Sequence, residues 1–92
     1  MSKPKVLLTI GLPSSVMSRL TSACAVTPVS TRAELLQSLP GHQVLLCSSF
    51  ETVDKELLDT AGDSLEAVVT GSAGYNHVDT QEIKRRGLLL GN

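Results

Sequence analysis

A chain of 92 residues with 41% hydrophobic, 18% charged and only 2% aromatic side chains makes one domain at most, around an aliphatic core without the large areas that aromatic rings bury. Folding at this size removes about 60–65% of the unfolded chain's surface from water, which sets an expectation of modest stability, and the composition excludes disorder. A net charge of −1 from eight basic and nine acidic side chains excludes a nucleic-acid footprint.

Val6-Leu7-Leu8-Thr9-Ile10, bounded by Pro4 and Gly11, is a near-continuous apolar run, the pattern of a strand covered on both faces. It is too short for a signal-peptide core or a membrane span, which gives a cytoplasmic expectation with no membrane partner. Pro13 and Ser14 introduce a helix with apolar positions Val16, Leu20, Ala23 and Cys24, and Ser14 is its expected N-cap. Ala25 to Ser30 reads as a short strand that its Pro28 confines to a sheet edge. Thr31-Arg32-Ala33-Glu34 is a capping box opening a helix through Leu35, Leu36 and Leu39, which Pro40-Gly41 stops.

Gln43 to Cys47 reads as a buried strand, with Ser48-Ser49-Phe50-Glu51 as the loop at its carboxyl end. A third helix follows with Thr52 as its cap, Val53, Leu57, Leu58 and Ala61 as its stripe and Gly62 as an αL stop. Leu65 to Thr70 is a fourth strand, and a glycine-rich loop carries it into Asp79-Thr80-Gln81-Glu82, a second capping box in which Val78 and Ile83 form a hydrophobic staple. That helix ends at Gly87. Lys84-Arg85-Arg86 reads as cations on its terminal carbonyls, and Leu88-Leu89-Leu90 starts a fifth strand.

Five apolar strands alternating with four helices predict an α/β fold, a flavodoxin-like three-layer sandwich with a five-stranded parallel sheet. Ligands of such sheets lie at the carboxyl ends of the strands, here Gly11-Leu12-Pro13, Cys47-Ser48-Ser49 and Gly71 to His77. Little on that rim is catalytic. It holds no Ser, His and carboxylate at relay spacing; His77 reads as a residue that bonds locally or sits near a bound acid, and His42 as a solvated turn residue. Cys24 and Cys47 lack CxxC spacing and read as reduced structural thiols, and no metal motif is present. A phosphoreceiver would need acidic residues where Thr9, Ile10, Gly11, Cys47 and Ser48 stand. Gly11 to Ser15 is poor in glycine for a flavodoxin-type phosphate loop, and GxGxxG is absent.

Gly71-Ser72-Ala73-Gly74-Tyr75-Asn76-His77-Val78 is the strongest candidate site. On one reading its glycines only permit a tight strand-to-helix connection. On the other, consecutive amides near Ala73 and Gly74 face an anion at a helix N-terminus, and the nearby Asp79 favours a single carboxylate. The residues alone leave both open.

The run from Leu65 through Gly71-Ser72-Ala73-Gly74-Tyr75-Asn76-His77-Val78-Asp79, followed by Glu82-Ile83-Lys84-Arg85-Arg86-Gly87, resembles the D-isomer-specific 2-hydroxyacid dehydrogenases, and within them the glyoxylate/hydroxypyruvate and 2-ketogluconate reductases. The resemblance implies that residues 1–92 are the N-terminal portion of a substrate-binding (catalytic) domain, incomplete as it stands. It implies that main-chain amides of Ala73 and Gly74, with Ser72 beside them, hold a substrate carboxylate, and that Ser48 lines the same cleft. It implies a small 2-oxo or 2-hydroxy acid as substrate, NADP or NAD as cofactor, and a homodimer in the complete enzyme.

The family's glycine-rich cofactor loop, substrate-binding arginine and catalytic histidine with its carboxylate have no counterpart in this chain. Catalytic and cofactor-binding residues are therefore expected to be none here, and the chain alone is expected to be inactive. The alternative is a non-catalytic, truncated or stand-alone flavodoxin-like ligand-binding or interaction module. Without the C-terminal return that packs on this domain in the family, some apolar surface is expected to lie uncovered, giving a marginal monomer or self-association.

Overall fold

Residues 3–48, 51–71 and 75–91 are described in a computed structural model. The elements run β1 (Lys5–Leu8), α1 (Ser14–Ala23), β2 (Ala25–Pro28), α2 (Arg32–Ser38), β3 (Val44–Cys47), α3 (Lys55–Ala61), a single 3₁₀ turn (Gly62–Ser64), β4 (Ala67–Thr70), α4 (Thr80–Arg85) and β5 (Leu89–Gly91). All strand pairs are parallel, in the order β2-β1-β3-β4-β5, so the flavodoxin-like expectation holds. The chain steps outward from β1 to β2 and then reverses through β3, β4 and β5. With right-handed crossovers this places α1 on one face and α2, α3 and α4 on the other.

Burial follows that division. Leu7, Leu45 and Val68, which share one register level across β1, β3 and β4, and Cys47, two residues further along β3 on the same face, meet Leu35 and Leu39 of α2, Leu57, Leu58 and Ala61 of α3 and Ile83 of α4 in one core cluster. On the opposite face Val6 and Leu8 are buried, whereas Val44, Leu46 and Val69 are half-buried and Leu89 is 74% exposed. Helix α1 buries none of its residues, and its Val16 is 45% exposed. The expected uncovered apolar surface is therefore the β3–β5 half of the α1 face.

Several element ends differ from the sequence expectation for local reasons. Strand β1 stops at Leu8, although the Thr9 amide still donates to the Leu46 carbonyl at 3.0 Å. Ser14 does not cap α1. Pro13 holds that place with φ −56° and ψ 148°, its carbonyl accepting from Val16 and Met17, and no side chain caps the helix. Thr31 caps α2 as expected by accepting from the Glu34 amide at 3.1 Å, but the Glu34 carboxylate returns to Ser30 and to the Thr31 hydroxyl.

Asp54, not Thr52, caps α3, accepting from the Leu57 amide at 3.0 Å. Gly62 does take a positive φ of 69°, but with ψ −154° it is outside the αL region and opens the 3₁₀ turn. Asp79 caps α4, accepting from the Glu82 amide at 3.1 Å, and Val78 and Ile83 are both buried as the staple requires. Glu82 does not return to Asp79. It takes Arg85 and Arg86 instead, and Arg86 also reaches Asp59, so these guanidiniums pair with carboxylates rather than with helix-terminal carbonyls. The fifth strand is shifted by one residue, to Leu89–Gly91. His42 is half-buried with a buried, unpartnered Nδ1, so it is not a solvated turn residue.

Candidate functional site

Strand order reverses between β1 and β3, and their carboxyl ends, with that of β4 alongside, form the rim where an α/β sheet takes its ligand. Cys47 and Thr70 are the last register partners of β3 and β4, so the chain leaves both strands at one level with Ser48 beside Gly71. The Gly71 amide donates to the Cys47 carbonyl at 2.8 Å, fixing the start of the candidate loop. Across the rim from β1, Ile10 lies against Gly71: a Cβ added there would overlap Ile10 Cδ1. The overlapped atom is the far end of a flexible, half-buried side chain, and Gly71 is not among the positive-φ glycines.

The far end of the loop is fixed differently. Val53 forms an isolated parallel bridge with Val78, its amide donating to the His77 carbonyl and its carbonyl accepting from the Asp79 amide, both at 2.8 Å. Both valines are buried. The segments that follow β3 and β4 are thereby stitched together beyond the strands, and the Val78 amide closes a turn on the Tyr75 carbonyl at 2.9 Å. Nothing local in the sequence announces this bridge. Val53 reads as the first member of a helical stripe, and only the carboxylates of Asp54 and Glu56 hint that the helix begins after it.

Of the residues singled out by sequence, Ser48 lies half-buried at the carboxyl end of β3, its carbonyl accepting from the Glu51 amide at 3.3 Å. Ser72, Ala73 and Gly74 lie outside the described residues. His77 is half-buried in the loop's descending arm with a buried Nε2 that has no partner. Thr9, at the end of β1, also carries a buried hydroxyl without a partner. Burial, with a smaller contribution from the Glu51 carboxylate, pushes the Cys47 thiol up to about 11, which makes it an unreactive core group. Cys24 and Cys47 are both free.

The turn after β1, where a dinucleotide-binding fold carries its glycine fingerprint, is Gly11-Leu12-Pro13 with a proline at the cap of α1. These residues do not fit a pyrophosphate cradle. Among the described residues no group of three metal-ligating side chains occurs, and no helix is long and apolar enough to cross a membrane. A cavity of about 130 Å³ lined by Leu58, Gly62, Asp63, Leu65, Arg86 and Leu88 sits at the amino ends of β4 and β5, opposite the rim. Its Arg86 is already paired with Asp59 and Glu82.

Comparison with known proteins agrees with the fold and adds descent. The chain is 37% identical over 95% of its length to a glyoxylate reductase/hydroxypyruvate reductase of Mus musculus, and 34% identical over 98% to a glyoxylate reductase of Thermofilum pendens. It covers 29% and 28% of those proteins, so it spans under a third of their length. Among solved structures, 3-phosphoglycerate dehydrogenase of Entamoeba histolytica with bound NAD+ superposes with a TM-score of 0.82 over 97% of this chain and 32% of that one, at 12% identity, a likeness of fold. Residues 6–92 match the D-isomer specific 2-hydroxyacid dehydrogenase catalytic domain, and the chain belongs to that family.

Proposed function

We propose that this chain is the N-terminal portion of the substrate-binding domain of an NAD(P)H-dependent reductase. The complete enzyme, a homodimer, converts a small 2-oxo acid of the glyoxylate or hydroxypyruvate type to the D-2-hydroxy acid. The observation that carries the reading is the near full-length match of this chain to two glyoxylate reductases, at 37% and 34% identity.

In this reading the loop from Gly71 to Val78 holds the substrate carboxylate through the main-chain amides of Ala73 and Gly74, with Ser72 beside them and Ser48 lining the cleft. Amides are suited to this: they carry no counter-charge to neutralise the acid and are oriented by the backbone alone. The described neighbourhood supports it, since the loop sits at the carboxyl rim and is tied at Gly71 and at Val78. Reduction of the keto carbon needs a hydride from the nicotinamide and a proton from an acid, and this chain supplies neither group. Its part is to bind and orient.

The test has two arms. Titrating the 92-residue chain with glyoxylate should shift amide resonances of residues 71–78 and of Ser48, while acetone, which lacks the carboxylate, should shift none. Hydride transfer from NADH or NADPH to hydroxypyruvate should be undetectable with this chain and present in a longer product carrying the cofactor domain. Shifts confined to other regions, or turnover by the short chain, would overturn the proposal.

A further inference from the structure

We propose that Arg32 is a positioning residue for the loop after β4, acting through Thr52, Val53 and Asp54 without touching the ligand. Arg32 is the first residue of α2, far from the loop in sequence, and its guanidinium forks: Nη1 donates to the Thr52 carbonyl at 2.9 Å, and Nη2 to the Asp54 carboxylate at 3.1 Å. A weaker third contact reaches Glu56 at 3.5 Å. The two main acceptors flank Val53, whose own amide and carbonyl are both spent on the loop, at His77 and Asp79.

The residue that pairs with the loop is therefore gripped on both sides by one rigid planar group. Asp54 is immobilised a second time by the Leu57 amide, which ties the grip to the start of α3. Ahead of Thr52, the segment after β3 is held by the long Glu51-to-Ser48 backbone contact at 3.3 Å. A lysine offers its donors from a single nitrogen on a flexible stem and lacks the planar fork that reaches the two acceptors from separate nitrogens, so it holds them less rigidly. The consequence for ligand rests on the carboxylate reading of the loop given above; the consequence for backbone order does not.

The experiment compares the chain with Arg32→Met, which keeps an aliphatic stem, and with the milder Arg32→Lys, by amide hydrogen exchange and glyoxylate titration. In Arg32→Met the Val53 and Asp79 amides should exchange about ten-fold faster, equivalent to about 1.4 kcal/mol. The Gly71 and Thr9 amides, bonded to Cys47 and Leu46, should keep their rates. Arg32→Lys should fall between, and glyoxylate affinity should drop in the same order. Unchanged Val53 and Asp79 exchange overturns the proposal, as does acceleration of all amides together, which would make Arg32 a general stabiliser. Localised acceleration with wild-type glyoxylate affinity removes the functional role. If the wild-type chain binds no glyoxylate, the carboxylate reading fails while the exchange arm still decides whether Arg32 orders the loop.

Discussion

Replacing Asp54 by alanine should separate two contributions that meet at the start of α3. The Asp54 carboxylate accepts from the Leu57 amide at 3.0 Å and pairs with Arg32 at 3.1 Å. Losing an N-cap acceptor costs about 0.5–2 kcal/mol. The ion pair, with side chains 36% and 42% exposed, adds only about 0–1 kcal/mol because water screens it. The cap dominates, and Asp54→Ala should lose about 1–2 kcal/mol, which for a domain of this size lowers the melting temperature by about 4–8 °C per kcal/mol. Asp54→Asn keeps an acceptor of similar capping strength and should lose well under half as much.

The pH dependence has a definite sign. The backbone hydrogen bond from Leu57, and secondarily Arg32, hold the Asp54 carboxyl below its ordinary value of 3.8. A depressed carboxylate stabilises the fold above its unfolded value and loses that contribution as pH falls through the folded one. The stability gap between the wild type and Asp54→Ala should thus narrow below about pH 4. Urea unfolding followed by circular dichroism, with equal slopes, measures it. An Asp54→Asn variant as unstable as Asp54→Ala, or a gap unchanged down to the lowest pH at which both fold, would refute the assignment of the cap as the main contribution.

Gly71→Ala should turn Ile10 Cδ1 aside at small cost, because that atom is the far end of a flexible, half-buried side chain. Ile10→Ala, which removes the overlapped atom, should relieve that cost, and a double-mutant cycle should return a coupling of about 0.5 kcal/mol, the low end for residues in contact. Asp59, held to about 2 chiefly by the hydrogen bonds from Arg86 and Lys55, contributes stability that is present above its ordinary value of 3.8 and is lost as pH falls toward 2. Its carboxyl carbon resonance should titrate near that low value, and Asp59→Asn should flatten the acid limb of the unfolding curve.

The sheet was legible because its strands are short aliphatic runs separated by helix caps and glycines. Val44-Leu45-Leu46-Cys47 and Ala67-Val68-Val69-Thr70 pair as their patterns require, and Pro28 is at an edge because it lacks an amide to donate. The helix starts were less legible. A cap is chosen by where the preceding chain is held, not by residue type alone: Thr52 is a good capping residue, but its carbonyl is taken by Arg32 and the next residue is drawn into the bridge with Val78, so the helix waits for Asp54. Glu82 likewise has the right spacing for a capping box but has stronger partners in two guanidiniums. The rim loop was placed correctly between β4 and α4. Its two tethers were not readable, because both partners, Cys47 and Val53, are distant in sequence.

Those tethers bear on the two readings that the residues alone leave open. A tight strand-to-helix connection in an α/β unit usually takes about 2–6 residues, whereas residues 71–79 separate Thr70 from Thr80. A connection that only had to turn would not need that length. Nor would it need to be tied to a neighbouring loop: the bridge at Val53 spends two backbone hydrogen bonds on holding the descending arm at a fixed height above β3 and β4. Ordering extra loop residues costs about 1–2 kcal/mol each in backbone entropy, so a longer, doubly anchored connection is favoured where its backbone has a further task. A loop fixed at Gly71 and at Val78, at the carboxyl rim, has the anchored ends that a main-chain anion cradle needs, since its amides must be oriented before the ligand arrives. The length and anchoring therefore weigh toward the carboxylate reading, which the glyoxylate titration decides.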